Sequence, residues 1–267
     1  MSRPWYLAWA LAVPLLVGNA AALGAEKKPA KEPTSFATLR APSPDEARSQ
    51  ALAWLKGVGK SDAETLKTFE AIWAHSERPV LDRVAETLAL GDAAAAKLLQ
   101  EAGDRSKDAP SAAPEILKDS KRPAFYRSNL ALAYAKALSN RRIYEEALDV
   151  FKATKPEQVV DPSAYLFHRA VAEHALLLKN DANRSIVRLL DDAVDVPERY
   201  KMVSVLMALD MQSWRDKDLG EIARKMDNIE RRLELARGGP HTQKIQKEVV
   251  ARLDEIIKQM ENQAKGA

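Results

Sequence analysis

Apolar side chains recur at helical spacing through most of the chain. No run alternates with the period of two expected of a strand bounded by hairpin turns. The pattern predicts an all-α protein. From Asp45, residues Ala47, Ala51, Leu52, Trp54 and Leu55 form a first face that stops at Gly57-Val58-Gly59. Ser61 and Glu64 have the spacing of a capping box, in which each side chain bonds the other residue's backbone N–H; Leu66, Phe69, Ile72 and Trp73 follow as a buried stripe. Pro79 opens a third helix carrying Val80, Leu81, Val84, Leu88 and Leu90, and Asp92 caps a short fourth, Ala93 to Ala102. Pro110, Ser111 and Pro114 mark a break, with a short helix around Glu115 to Lys118.

The middle of the chain is organised around Asp161 to Lys179, which reads as one complete helix. Asp161 is the N-cap and Pro162 occupies the first helical position, where a missing N–H costs nothing. Arg169 and Glu173 form an i,i+4 pair on one narrow polar stripe, and most of the remaining circumference is apolar, so this helix should be covered on several sides. Its expected neighbours are Phe125 to Leu138, Tyr144 to Ala153, Ile186 to Val194 and Pro197 to Met211, joined by short connections suited to antiparallel helices.

The last portion changes period. Leu219, Ile222, Met226, Ile229, Leu233 and Ala236 are spaced 3-4-3-4-3, a coiled-coil seam. Gly238-Gly239-Pro240 should end that helix, a glycine supplying the left-handed residue. Ile245, Val249, Leu253, Ile256 and Met260 make a matching stripe, so the two segments read as an antiparallel hairpin, docked on the body or projecting toward a partner.

The N-terminus changes the compartment. Arg3, an apolar run from Trp5 to Val17 and small residues to Ala25 have the pattern of a secretory signal peptide, with cleavage after Ala22 or Ala25. The alternative is an uncleaved anchor, since Trp5 to Ala25 is long enough to span a bilayer. The chain thus divides into a signal peptide (1–25), a solvated linker (26–44), an N-terminal helical region (45–119), a repeat-like helical region (121–212) and a C-terminal hairpin (217–264). Export to the periplasm or beyond follows, with no membrane insertion once the signal is cleaved.

Composition is that of a globular protein, 46% hydrophobic and 30% charged over 267 residues. Lys plus Arg (41) nearly balances Asp plus Glu (38), with the signs interspersed, so charge does not support nucleic-acid or anionic-membrane binding. There is no cysteine, which excludes disulfides, thiolate metal sites and lipoprotein attachment.

Leu130-Ala131-x-x-Tyr134 followed by Tyr144-x-x-Ala147-x-x-x-Phe151 resembles the tetratricopeptide repeat, in which small residues let two helices approach and large ones fill the gap. The first helix is about a turn too long and the repeat proline is displaced to Pro156, so the array is a divergent one, with an irregular helical bundle as the alternative. Asp161 to Leu178, Val196 to Met202, Asp218 to Pro240 and Thr242 to Asn262 also resemble a set of exported proteins of planctomycete-type bacteria. That resemblance implies a helical envelope protein and brings no activity and no catalytic residues.

Candidate chemistry is sparse. Gly57-Val58-Gly59-Lys60-Ser61 ends like a phosphate-binding loop, but Trp54 stands where its first glycine belongs and a helix precedes it instead of a strand. His75, His168, His174 and His241 contain no HExxH pair, and His168 and His174 lie about 120° apart around one helix. Arg169, Glu173 and His174 are the first suspects for a hidden site. Asp191-Asp192 diverge as neighbours on a helix, Arg141-Arg142 suits a helix C-terminus, and Asn183-Arg184-Ser185 matches a glycosylation acceptor placed inside a helix. No catalytic, cofactor-binding or metal-binding residue is assigned, and no cofactor is expected. The reading is a non-enzymatic, exported helical-repeat protein that binds or scaffolds another protein. The alternatives are self-assembly through the hairpin, and a polysaccharide-acting enzyme whose carboxylates come from separate helices.

Overall fold

A computed structural model describes residues 37–266. The expected signal segment and the start of the linker lie outside the described residues. Within them the chain is all-α: α1 (Pro44–Gly57), α2 (Ala63–Ala74), α3 (Val80–Gly91), α4 (Ala93–Gly103), α5 (Glu115–Lys118), α6 (Ala124–Asn140), α7 (Tyr144–Ala153), α8 (Pro162–Ala175), α9 (Lys179–Asp191), α10 (Glu198–Ser213), α11 (Leu219–Glu234) and α12 (Pro240–Gly266).

Local chemistry sets the helix starts. Ser43 and Glu46 form a reciprocal capping box at α1. At α2 the cap is Asp62, whose carboxylate accepts from Thr65 N at 2.9 Å, one residue beyond the Ser61 that the sequence suggested. Asp92 caps α4 and also accepts from Tyr126 Oη at 2.7 Å and from Arg122, tying α4 to α6. Asp161 caps α8 as expected, with Pro162 at the first position.

Helix ends depart further from the sequence reading. Arg142, Leu177 and Ala236 take left-handed φ values of 63°, 61° and 57° just after α6, α8 and α11. In each case the following N–H bonds back into the last turn: Ile143 to Leu138 O, Leu178 to Glu173 O and Arg237 to Arg232 O. The central helix therefore stops at Ala175 rather than Lys179, and α9 begins at Lys179, seven residues before the expected Ile186. The hairpin turn is likewise made at Ala236, not at Gly238.

α8 is central: it packs against α6, α7, α9 and α10. Its Tyr165 and Leu166 join a main core that runs through Trp54, Phe69, Leu88, Tyr126, Leu138 and Phe151. Asn129 on α6 fixes the connection into α8, its amide oxygen accepting from Val160 N at 2.8 Å. The segment expected to remain solvated up to Pro44 does not do so throughout. Leu39 is buried, pairs with Ala193 in an isolated parallel bridge, and bonds the backbone of Asp192 and Val194.

Candidate functional site

The suspects on α8 separate. Glu173 is fully buried, accepting from Arg169 Nε at 2.8 Å and from Ser185 Oγ of α9 at 2.5 Å, while Arg169 also reaches Tyr165 Oη at 3.2 Å. This is a closed ionic knot between α8 and α9. Ser185 of the Asn183-Arg184-Ser185 motif is thereby buried inside α9.

His174 faces elsewhere. Its Nε2 lies 2.9 Å from Asp210 Oδ2 on α10, and Trp214 Nε1 donates to the same oxygen at 3.0 Å. They line a cleft of about 330 Å³ with Tyr144, Arg224 and Arg231. His168 is buried, edge-on to Phe167 and Tyr200. Burial, with the positive charges of Lys136 and Arg199, pushes its pKa down to about 4 against the pull of Asp82. His75 sits at the surface 3.2 Å from Glu77 Oε1, and His241 is exposed in the first turn of α12. Among the described residues no group of three or more His, Asp or Glu gathers at metal-binding separation.

Arg141 and Arg142 are structural ties. Arg141 donates to Glu101 O and Ala102 O at the end of α4, not to the helix preceding it, and Arg142 reaches Glu234 at 3.0 Å. Asp191 and Asp192 hold the Leu39 segment by their carbonyls, accepting from Ala37 N and Leu39 N, and Asp192 also pairs with Arg188. Gly57 to Ser61 is a helix stop, with Gly59 in the left-handed region.

Two apolar surfaces remain. On α10, Tyr200, Ser204, Met207 and Met211 are buried against α8 and α9, yet the opposite face is also apolar: Met202, Leu206 and Leu209 are 60%, 62% and 54% exposed, with Val205 between them. A helix apolar on both faces belongs between two layers. Here one layer is in place. The sequence carried this signal, since Met202 to Met211 leaves no wide polar face, but periodicity does not say which side stays open.

The second surface lies on α11 and α12, which run antiparallel, with Lys225 Nζ 3.2 Å from Glu248 and Arg232 Nε 2.8 Å from Thr242 Oγ1. The hairpin is docked at its root, where Arg231, Arg232 and Arg237 converge on Glu145 and Glu146 of α7. Only half of the expected seam is closed. Ile222, Ile229 and Val249 are buried with Ile245 and Ile256 beside them, whereas Leu219, Met226, Leu233, Val250, Leu253, Ile257 and Met260 stay exposed. Met226, Leu233 and Val250 line one shallow groove of about 780 Å³.

Among the described residues no helix is long and apolar enough to cross a membrane. The chain matches no protein-family model, no curated protein and no solved structure.

Proposed function

We propose that this chain is an exported, non-enzymatic scaffold of the bacterial envelope that binds another protein at the end of its helical array. The carrying observation is the outer face of α10, apolar and uncovered along Met202, Val205, Leu206 and Leu209. The pairs α6/α7 and α8/α9 follow one another as divergent tetratricopeptide-like hairpins. α10 then stands as the first helix of a third pair whose second helix is supplied by the partner. Stacked helical pairs need a capped end to be soluble, and an amphipathic helix laid along α10 provides it.

A photo-crosslinking side chain at Leu206 of the full chain, in its native host, tests the reading. One partner protein captured from Leu206 but not from exposed Lys67, and lost in Met202→Asp, supports it. Crosslinks confined to the chain's own peptides would sink it.

A further inference from the structure

We propose that two copies of this chain pair through the open faces of α11 and α12, closing a four-helix bundle. The hairpin has only three buried apolar side chains of its own, Ile222, Ile229 and Val249, and leaves seven large ones exposed. Those seven are not scattered. On α11, Leu219, Met226 and Leu233 recur every seven residues; on α12, Gln246, Val250, Leu253, Ile257 and Met260 recur at 4-3-4-3. α12 therefore carries two adjacent heptad seams, one (Ile245, Val249, Ile256) used inside the hairpin and one beside it. A helix in a two-helix hairpin needs one seam; a helix in a four-helix bundle touches two neighbours and needs both.

Area and charge select a second copy as the occupant. The seven side chains, 37% to 65% exposed, offer roughly 700 Å² per copy, close to one partner's share of a standard interface. The Lys225–Glu248 and Arg232–Thr242 contacts fix the internal register, which sets Asp227, flanking the open face of α11, level with Lys247, flanking the open face of α12. With the two-fold axis along the bundle, α11 of one copy lies against α12 of the other, and Asp227 of each copy comes level with Lys247 of its partner. With the axis across the helices, the Asp227 side chains of the two α11 helices would face each other and repel. An isologous interface needs both halves of such a match on one surface, and this surface has them. Length agrees as well. The 27 residues of α12 outrun the 16 of α11, and in this arrangement the two overhanging ends point the same way and meet through Ile257 and Met260.

The inference rests on the hairpin and not on the α10 face, so the two readings can fail separately. The test is the mass of the full chain by light scattering and sedimentation across a concentration series. Twice the chain mass is expected, falling to one chain mass in Val250→Lys and Leu253→Lys with the dimer Kd raised about 30-fold or more, and an unchanged circular-dichroism melt of the body. Asp227→Lys and Lys247→Asp should each weaken the dimer, and the double swap should restore it. A single-chain mass at every concentration, a dimer indifferent to both seam variants, or no rescue by the swap overturns the proposal. A monomer that still crosslinks a partner from Leu206 would remove the dimer and leave the proposed function standing.

Discussion

Arg231 on α11 and Glu145 in the first turn of α7, 86 positions apart in the chain, form a two-pronged ion pair with N···O separations of 2.7 and 2.9 Å. Arg231 is only 3% exposed, and it also donates to Arg142 O, so it serves as the bolt between hairpin and array. Burial opposes ionisation of Glu145, but the hydrogen bonds and charges of Arg231 and Arg232 outweigh it and lower the carboxyl from an ordinary 4.5 to about 2. A carboxyl lowered on folding stabilises fully above about 4.5 and loses that contribution as pH falls toward 2. Glu145→Gln leaves a buried guanidinium without its counter-charge, at a cost of about 3 kcal/mol. Hydrogen exchange should show α11 and the first half of α12 losing protection while α6 and α8 keep theirs. Equal loss everywhere would show that the root is not a separate joint.

His168 gives a second, independent pH signature. Its folded pKa of about 4 lies below the ordinary 6.5, so between those values the unfolded chain takes up a proton that the folded chain refuses. Stability is then complete above about 6.5 and declines as pH falls to about 4, by on the order of 3 kcal/mol. His168→Phe keeps an aromatic ring beside Phe167 and Tyr200 and removes the titration. Between about pH 5 and 6.5, above the range in which Glu145 titrates, thermal melts of the variant should slope clearly less than those of the parent; matching slopes would refute the assignment.

Gly91 is required by a close approach, not by its φ. A Cβ there would lie 2.6 Å from Cη2 and Cζ3 of Trp54. That indole also stacks on Tyr126 with ring centroids 5.2 Å apart, so it has little room to retreat. Gly91→Ala should destabilise by about 1–3 kcal/mol. Gly103→Ala, which meets nothing within 4 Å, should be neutral or mildly stabilising. Chemical denaturation of the pair measures the contrast, and equal effects would contradict the packing.

The two glycines show what the sequence could and could not reveal. Helix starts were legible where a side chain caps them, as Asp92, Asp161 and Pro162 act on backbone groups within three residues; the start of α9 was not, because Leu178 offers no capping side chain. Helix ends were less so, because Arg142, Leu177 and Ala236 adopt a conformation in which glycine is the residue to look for, and the backbone bonds that close each end leave no mark in the side chain. The i,i+4 pair of Arg169 and Glu173 could be read directly, but Ser185 reaches Glu173 only because α9 folds back on α8. The heptads of α11 and α12 were plain in the spacing. Which half of each seam closes depends on the roll of one helix against the other, and Arg231, Arg232 and Arg237 fix that roll from outside the seam. The outer face of α10 and the open side of the hairpin escaped the sequence for one reason: periodicity marks a face as apolar without saying what lies against it.

The placement of the hairpin turn can be decided by two small substitutions. The sequence points to Gly238 as the left-handed residue, whereas the structure gives that role to Ala236, at φ 57°, with its N–H bonded to Leu233 O at 2.9 Å. A left-handed alanine costs roughly 1 kcal/mol that glycine does not incur. Ala236→Gly should therefore strengthen the hairpin by about that amount, raising its resistance to exchange and to denaturant. Gly238→Ala should be tolerated, since an added Cβ meets only Leu233 Cδ2 at an ordinary 3.6 Å and φ there is not positive. If Gly238→Ala instead weakens the hairpin by a kcal/mol or more and Ala236→Gly gains nothing, the turn lies two residues further on. The register that places Asp227 level with Lys247 would then shift with it.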